Sequence, residues 1–174
     1  MKKIKKKIKD LVLVKTNIFK DNRGFFKEIE KSKILKKKFV FDCFSYSKKN
    51  TLRGLHLQTK KSQAKIITVV QGKILDVVVD LRKKSKTFGK KYSIILSSKN
   101  NKSVYIPPGF AHGFLCLGKE NIVNYSCTNY RSIGYEYSLL FKDKKLNIRW
   151  PLKKVIITDK DKNAKTFNEL LHKF

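Results

Sequence analysis

The sequence has few acidic residues, few cysteines and no long hydrophobic run, and each shortage excludes a class of protein. Its 174 residues include 13 Asp and Glu against 42 Lys and Arg, which gives a formal net charge of +29. The cysteines Cys43, Cys116 and Cys127 are odd in number and lack CxxC spacing, so they predict reduced core residues rather than disulfides or a zinc site. No segment approaches the ~20 apolar residues of a membrane span, so we expect a soluble, cytoplasmic protein without a membrane partner.

Arginine is also scarce, although the chain is strongly basic. Proteins that recognise DNA bases depend on the bidentate contacts of Arg, whereas most basic residues here are lysines scattered along the whole chain. We interpret the charge as a solvated surface and expect no specific nucleic-acid partner. The five arginines are then the informative basic residues: Arg23, Arg53, Arg82, Arg131 and Arg149.

The chain has three prolines and eight glycines, and they are spread along the sequence rather than grouped in a linker. We therefore predict one domain over residues 1–174. Short alternating and β-branched segments separated by turn signals predict an antiparallel, all-β jelly-roll barrel. One helical pattern covers residues 161–174, where Asp161 is a candidate cap and Phe167, Leu170, Leu171 and Phe174 recur at helical spacing, so a short C-terminal helical segment is expected.

Polar side chains occupy alternate positions of the segment TLRGLHLQTKKSQAKIITVVQG, on the face that a barrel would bury. They are Arg53, His56, Gln58 and Lys65. Because alternate residues of a strand share one face, these groups must be satisfied locally or serve a ligand. This face is the first candidate for a functional site.

Together with the later segment PPGFAHGF, which contains His112, these residues resemble the two motifs of a cupin barrel. In that pattern His56 and Gln58 stand where two metal-binding histidines would be, and Lys65 stands at the carboxylate ligand. An ammonium repels a divalent cation and an amide is a poor replacement for imidazole, so we expect neither a metal nor another cofactor.

An imidazole beside an ammonium favours one kind of chemistry. His56 can take a proton from carbon next to a carbonyl while Lys65 stabilises the oxyanion of the enolate that forms. Asp80 is a candidate partner behind such a site, or it forms a structural ion pair with Arg82.

Ordered motifs over nearly the whole chain resemble one family, the dTDP-4-dehydrorhamnose 3,5-epimerases, which are cupin-type sugar-nucleotide epimerases without a metal. The motifs are DNRGFFKE, LRGLHLQ, QAKIITVVQGKILDVVVDLR, VYIPPGFAHGF, NYSCTNY, LNIRWP and TDKDKNA. The resemblance implies that His56 is the catalytic base, oriented by Asp161, with Asp159 left open as the alternative partner. It also implies that Lys65 stabilises the enolate and that Tyr125 delivers a proton to the opposite face.

The resemblance implies substrate contacts as well. Arg53, Gln58 and His112 would hold or polarise the sugar of a dTDP-4-keto-6-deoxy sugar. An N-terminal arm would meet the diphosphate and the thymine across the interface of a homodimer, through Arg23, Phe26 and Glu28. The expected activity is inversion at C3 and C5 in the dTDP-rhamnose pathway.

Three positions depart from the family pattern. Phe41 and Cys43 stand where typical members have Gln and Asn, and Arg131 stands where they have a tyrosine. These positions border the sugar pocket, so they leave open a single-site epimerase, acting at C3 or C5, or a ketoisomerase of another nucleotide-deoxysugar pathway. A noncatalytic sugar-nucleotide-binding cupin is the remote alternative.

Overall fold

A computed structural model of the chain describes residues 2–5, 8–29, 35–152 and 154–171. Within these ranges the chain forms thirteen β-strands and two short α-helices. The strands are β1 (Lys2–Lys5), β2 (Val12–Lys15), β3 (Ile18–Asp21), β4 (Gly24–Lys27), β5 (Phe41–Lys48), β6 (Leu52–Gln58), β7 (Lys65–Gln71), β8 (Lys73–Asp80), β9 (Lys91–Ser97), β10 (Lys102–Ile106), β11 (Phe110–Cys116), β12 (Glu120–Cys127) and β13 (Glu136–Ser138); the helices are α1 (Asp159–Lys162) and α2 (Phe167–Leu170).

The strands form two sheets and a separate hairpin. The six-stranded sheet has the order β1-β2-β10-β7-β12-β5, and the five-stranded sheet has the order β13-β6-β11-β8-β9. Among the described strands, β3 and β4 pair only with each other, and the pairings between named strands are antiparallel. The fold is a cupin-like jelly roll, so the fold class predicted from the sequence is confirmed.

Apolar side chains from both sheets fill the barrel. Ile67 and Val104 of one sheet pack in the same cluster as Val78 and Phe114 of the other. A second cluster lies on the other face of the five-stranded sheet, where residues such as Val77 pack with the C-terminal segments. Strand β8 is therefore covered on both faces, which explains its nearly continuous apolar sequence.

Two glycines allow β6 and β11 to approach closely. A Cβ atom on Gly54, whose φ is +107°, would lie 2.7 Å from the Cα of Gly113. The same pairing places His56 directly opposite His112, next to an irregularity in the ladder. The close contact of these strands therefore brings two of the three histidines of the sequence to one place.

The C-terminal segment is less helical than predicted. Thr158 caps α1 and Thr166 caps α2, where Thr166 and Glu169 form a capping box. Asp161 lies inside α1 and is not its cap, so the prediction of one helix capped by Asp161 is wrong; residues 172–174 lie outside the described residues. Among the helices described, none has the length and apolar character needed to cross a membrane.

Asp80 and Arg82 form the expected ion pair at the end of β8, with a distance of 2.8 Å. The hydroxyls of Ser85 and Thr87 also donate to the Asp80 carboxylate. Burial alone would raise the pKa of Asp80, but these hydrogen bonds lower it to about 2. The carboxylate is used in closing a loop, and it is not a partner of the candidate site.

None of the three cysteines forms a disulfide. Cys116 and Cys127 are buried, as predicted, whereas Cys43 is exposed on β5. The expectation of a core position is therefore wrong for Cys43, because β5 is an edge strand of the six-stranded sheet.

Candidate active site

A cavity of about 540 Å³ lies between the two sheets, and the segment before α1 completes its wall. Strands β5, β7 and β12 contribute from one sheet, and β6 and β11 contribute from the other. The cavity brings together six residues predicted from the sequence: Arg53, His56, Lys65, His112, Tyr125 and Asp161.

His56 and Asp161 form a hydrogen-bonded pair, with 2.6 Å between Nε2 and Oδ1. The backbone N–H of Gly54 donates to the other Asp161 oxygen at 3.1 Å. Burial alone would raise the pKa of Asp161, but the contacts with His56 and Gly54 lower it. An ionised carboxylate only accepts, so Nε2 carries the proton and the neutral ring keeps its lone pair on Nδ1. Asp159 is exposed and forms no ion pair with His56, so Asp161 is the partner.

Lys65 lies at the start of β7, directly opposite Cys127 of β12. Burial lowers the pKa of its ammonium group. Within the described part of the chain, no carboxylate lies at ion-pair distance from Lys65 Nζ. A half-buried cation that no described carboxylate pairs with directly is well suited to stabilise an anion in the cavity.

Tyr125 of β12 lies in the six-stranded sheet, whereas His56 belongs to the five-stranded sheet. The Tyr125 hydroxyl lies 3.1 Å from the hydroxyl of Ser45. Burial raises the pKa of Tyr125 well above its ordinary value, so the phenol is protonated at neutral pH. The cavity therefore has an oriented imidazole on one wall and a neutral acid on the other.

His112 and Arg53 are further polar residues of the cavity, and they lie with His56 on the five-stranded sheet. His112 Nε2 lies 2.7 Å from an oxygen of Asp76, and both side chains are buried. The Arg53 guanidinium donates to the Ser47 hydroxyl and to a backbone carbonyl of β5. Sequence reasoning missed Asp76, although an aspartate within the apolar strand KILDVVVD is itself a sign of a buried partner.

The structure does not bring Gln58 to the cavity wall. Its side-chain amide donates to the carbonyls of Lys61 and Tyr130, and its amide oxygen accepts from the backbone N–H of Ser132. These bonds occupy the amide and leave it buried. The geometry therefore does not support the sugar contact expected for Gln58, which instead fixes the loop that carries Arg131.

The residues expected on the N-terminal arm lie on the β3–β4 hairpin and do not line the cavity of their own chain. Arg23 is 85% exposed and pairs with Asp21 in the turn. Phe26 is exposed and its ring lies 6.3 Å from that of Phe19. Glu28 directly follows the hairpin. Their expected contacts with a nucleotide remain predictions.

The three positions that depart from the family pattern all line the cavity: Phe41, Cys43 and Arg131. Arg131 forms an ion pair of 2.9 Å with Glu136, and Lys160 pairs with the same Glu136 oxygen at 2.8 Å. Burial alone would raise the pKa of Glu136, but these two cations lower it to about 2. Sequence reasoning missed Glu136 and Lys160, because Lys160 joins the cluster only through the tertiary fold.

No group of three or more His, Cys, Asp and Glu side chains within the described ranges is arranged to hold a metal ion. His56 and His112 are each bonded to a carboxylate through Nε2. The cavity combines an imidazole, a phenol and several cations, groups that are chemically able to transfer a proton and to bind an anion.

Fold and site together define a cupin-like protein with a histidine–aspartate pair and a tyrosine in one cavity between its two sheets. The family model for dTDP-4-dehydrorhamnose 3,5-epimerase matches residues 5–169. The chain therefore belongs to this family. A curated relative of that name from Methanothermobacter thermautotrophicus is 40% identical over an alignment that covers 95% of this chain and 94% of the relative.

Two solved structures show the same likeness. A dTDP-6-deoxy-D-glucose-3,5-epimerase from Legionella pneumophila, solved in complex with dTDP-4-keto-L-rhamnose, has a TM-score of 0.92 and 39% identity, with 96% of this chain and 93% of that chain covered. A 3′-monoepimerase from Streptomyces bikiniensis, in complex with dTDP-quinovose, has a TM-score of 0.89 and 28% identity. This likeness covers 95% of this chain and 88% of that chain. The fold is thus shared by enzymes named for double and for single epimerisation.

Proposed function

We propose that the protein inverts C3 and C5 of a dTDP-4-keto-6-deoxyhexose, the epimerisation step of the dTDP-rhamnose pathway. The observation that carries this proposal is the placement of His56 and Tyr125 on opposite sheets around one cavity. Inversion requires removal of a proton from one face of a carbon and return of a proton to the other face, which a single base cannot do.

The first step is abstraction of a proton next to the C4 ketone. His56 Nδ1 accepts the proton, because Nε2 is held as a donor by Asp161. The ionised Asp161 then stabilises the imidazolium that forms, as a carboxylate does in other histidine-based sites. C3 and C5 both flank the ketone, so the same enolate chemistry serves either carbon.

The second requirement is stabilisation of the enolate oxygen. Lys65 supplies a buried ammonium that no carboxylate neutralises in the described part of the chain. In this environment a charge-assisted hydrogen bond to the oxyanion is stronger than it would be in water. The energetic cost of burying Lys65 is thereby offset when charge develops on the substrate.

The final step is protonation from the opposite wall. Tyr125 is neutral over the physiological range because burial raises its pKa. It donates its proton to the carbanion carbon, and its hydroxyl is then reprotonated from solvent while His56 releases its proton. Each inverted carbon therefore carries a hydrogen from solvent.

The charges of the cavity suit a sugar nucleotide. Its wall contains the four cationic residues Arg53, Lys65, Arg131 and Lys160 and the two carboxylates Glu136 and Asp161. The diphosphate of a sugar nucleotide is a diester with two negative charges, which match the excess of two cations. The ligands named for the two solved relatives are also dTDP-sugars.

We further propose that the protein is a cytoplasmic homodimer in which the β3–β4 hairpin serves the partner's cavity. Phe19, Phe25 and Phe26 are each more than half exposed on this hairpin, and such a patch favours a protein interface. A cytoplasmic location is supported by the three cysteines, none of which forms a disulfide.

Proton NMR in deuterated water with dTDP-4-keto-6-deoxyglucose tests the activity. We expect the C3 and C5 proton signals to disappear with wild-type protein. A folded His56→Ala variant should exchange about 10²- to 10⁴-fold more slowly, the range for loss of a general base. Wild-type exchange at C5 in that variant would refute the assignment of the base.

Phe41, Cys43 and Arg131 differ from the family pattern and line the cavity, which favours single-site epimerisation as a second candidate function. Loss of only one of the two signals would establish it. No exchange at either carbon, in a protein that binds thymidine diphosphate, would contradict both candidates and favour a noncatalytic sugar-nucleotide-binding cupin.

A further inference from the structure

The mouth of the cavity carries a three-residue cluster, Arg131, Glu136 and Lys160, that the proton-transfer steps do not use. Both cations contact the same oxygen, Oε2 of Glu136, at 2.9 and 2.8 Å. Their side chains are more than half exposed, whereas the Glu136 side chain is only 13% exposed. The carboxylate is largely buried on β13, whereas Arg131 reaches it from a loop and Lys160 reaches it from α1.

Strand pairing fixes the carboxylate next to the candidate base. Ser138 of β13 lies opposite His56, and Glu136 lies opposite Gln58, so Glu136 is a diagonal neighbour of His56 on one face of the sheet. Lys160 directly precedes Asp161 in α1. The cluster thus borders the pair that would remove the proton.

The backbone on both sides of Arg131 is held in addition to the ion pair of its side chain with Glu136. Gln58 donates to the carbonyl of Tyr130 and accepts from the N–H of Ser132, so its amide binds the chain on both sides of Arg131. The buried amide of Gln58 presents the arginine to the cavity and leaves its guanidinium able to change partner.

We infer that Arg131 and Lys160 form a clamp for a phosphate of the substrate, and that Glu136 is a resident counter-ion which the phosphate displaces. The inference rests on the proposed function, because it assigns one subsite to a nucleoside diphosphate. The Glu136 carboxylate is largely buried and loses stabilisation when the two exposed cations leave it, so the phosphate must offset that loss. A phosphate, with its larger charge and several acceptor oxygens, is the stronger partner.

This arrangement predicts that substitutions of Arg131 and of Glu136 change the affinity for thymidine diphosphate in opposite directions. Arg131→Gln should weaken binding of thymidine diphosphate about tenfold, the effect of losing one charge-assisted hydrogen bond. Glu136→Gln should tighten it about threefold or more, because the competitor for both cations is removed. Lys160→Gln should weaken binding as Arg131→Gln does, which keeps the test decisive if one variant does not fold.

The test is isothermal titration calorimetry of the full chain with thymidine diphosphate and, separately, with thymidine. Matched controls are Arg149→Gln and Glu120→Gln, which change the same charges outside the cavity. The controls should bind as the wild type does, and thymidine binding should be unchanged in every variant. In the Glu136→Gln background, Arg131→Gln should cost more than in the wild type, whereas a purely long-range effect of charge would be additive.

Weaker binding in Glu136→Gln, or unchanged binding in Arg131→Gln and Lys160→Gln, would overturn the clamp. Hydrogen exchange on the keto sugar is measured separately from these titrations, so the two proposals fail independently. If the affinities change in the predicted directions but the enzyme does not turn over the sugar, the clamp is supported and the epimerase is refuted. If the enzyme turns over the sugar but the affinities do not change in these directions, the epimerase is supported and the clamp is refuted.

Discussion

At the scale of single residues, burial acts in opposite directions on the two groups that face a substrate from the six-stranded sheet. It lowers the pKa of Lys65, because the charged form loses hydration, and it raises the pKa of Tyr125 for the same reason. The lysine therefore releases its proton at a lower pH than the tyrosine does. Loss of activity at high pH should report Lys65 rather than Tyr125.

The alkaline limb of the rate profile is a direct prediction of this order. We expect kcat/KM to fall as pH rises through a pKa below the ordinary lysine value of about 10.4. Lys65→Arg should move this limb to higher pH because a guanidinium stays protonated, whereas Lys65→Met should lower kcat about 10²- to 10³-fold. Lys48→Arg on the exposed face of β5 is the control. An unchanged limb in Lys65→Arg would show that another group titrates.

The residues that sequence reasoning identified share one property: they stand in motifs with a fixed spacing. His56, Lys65 and Tyr125 lie on strands whose alternation could be read directly, and Asp161 lies in the motif TDKDKNA of the resemblance. Asp76 was missed because its partner His112 is distant in sequence, and Glu136 was missed because its place in the cavity depends on the pairing of β13 with β6. Alternation predicts which face a side chain takes, but not which strand or helix lies opposite it.

At the scale of elements, the strands and a short C-terminal helical segment were predictable, whereas the division of that segment into two turns was not. The pattern of residues 161–174 suggested one helix, but the chain forms two single turns, each with its own threonine cap. Between them, Lys165 accepts a backbone hydrogen bond from Leu140, which ties the segment to the barrel. Tertiary contacts, including the pairing of Asp161 with His56, override the local helical preference.

The β3–β4 hairpin gives the prediction at this scale. If its arm serves the partner's cavity, then mixing Arg23→Ala subunits with His56→Ala subunits should restore activity, because one cavity of each mixed dimer keeps both residues intact. Random exchange of subunits would restore about a quarter of the sites. Each variant alone, assayed at low substrate concentration, should be weakly active.

The control for this mixing experiment is a pair of variants in the same cavity, His56→Ala with Lys65→Met, which should not complement. Failure of the Arg23 and His56 variants to restore activity, although native mass spectrometry of differently tagged subunits shows mixed dimers, would place the arm in its own chain's cavity. A purely monomeric protein would contradict the proposed assembly.

At the scale of the whole molecule, the jelly roll places groups from two sheets around one cavity. His56 and Tyr125 are 69 positions apart in the sequence and belong to different sheets, yet both line the same cavity. The closure of the barrel, rather than any single motif, is what gives the site two chemically different sides. Epimerisation by a base and an acid on opposite sides of the substrate depends on this arrangement.

The measurement that tests it most directly is proton NMR of Tyr125→Phe in deuterated water, with configuration and deuterium content followed together. We predict that deuterium still enters C3 and C5 with retention, because His56 continues to work, while inversion slows by about 10² or more. Tyr130→Phe, which removes an exposed hydroxyl outside the cavity, should behave as the wild type does. Inversion at the wild-type rate in Tyr125→Phe, or loss of exchange together with inversion, would contradict the assignment of base and acid to opposite walls.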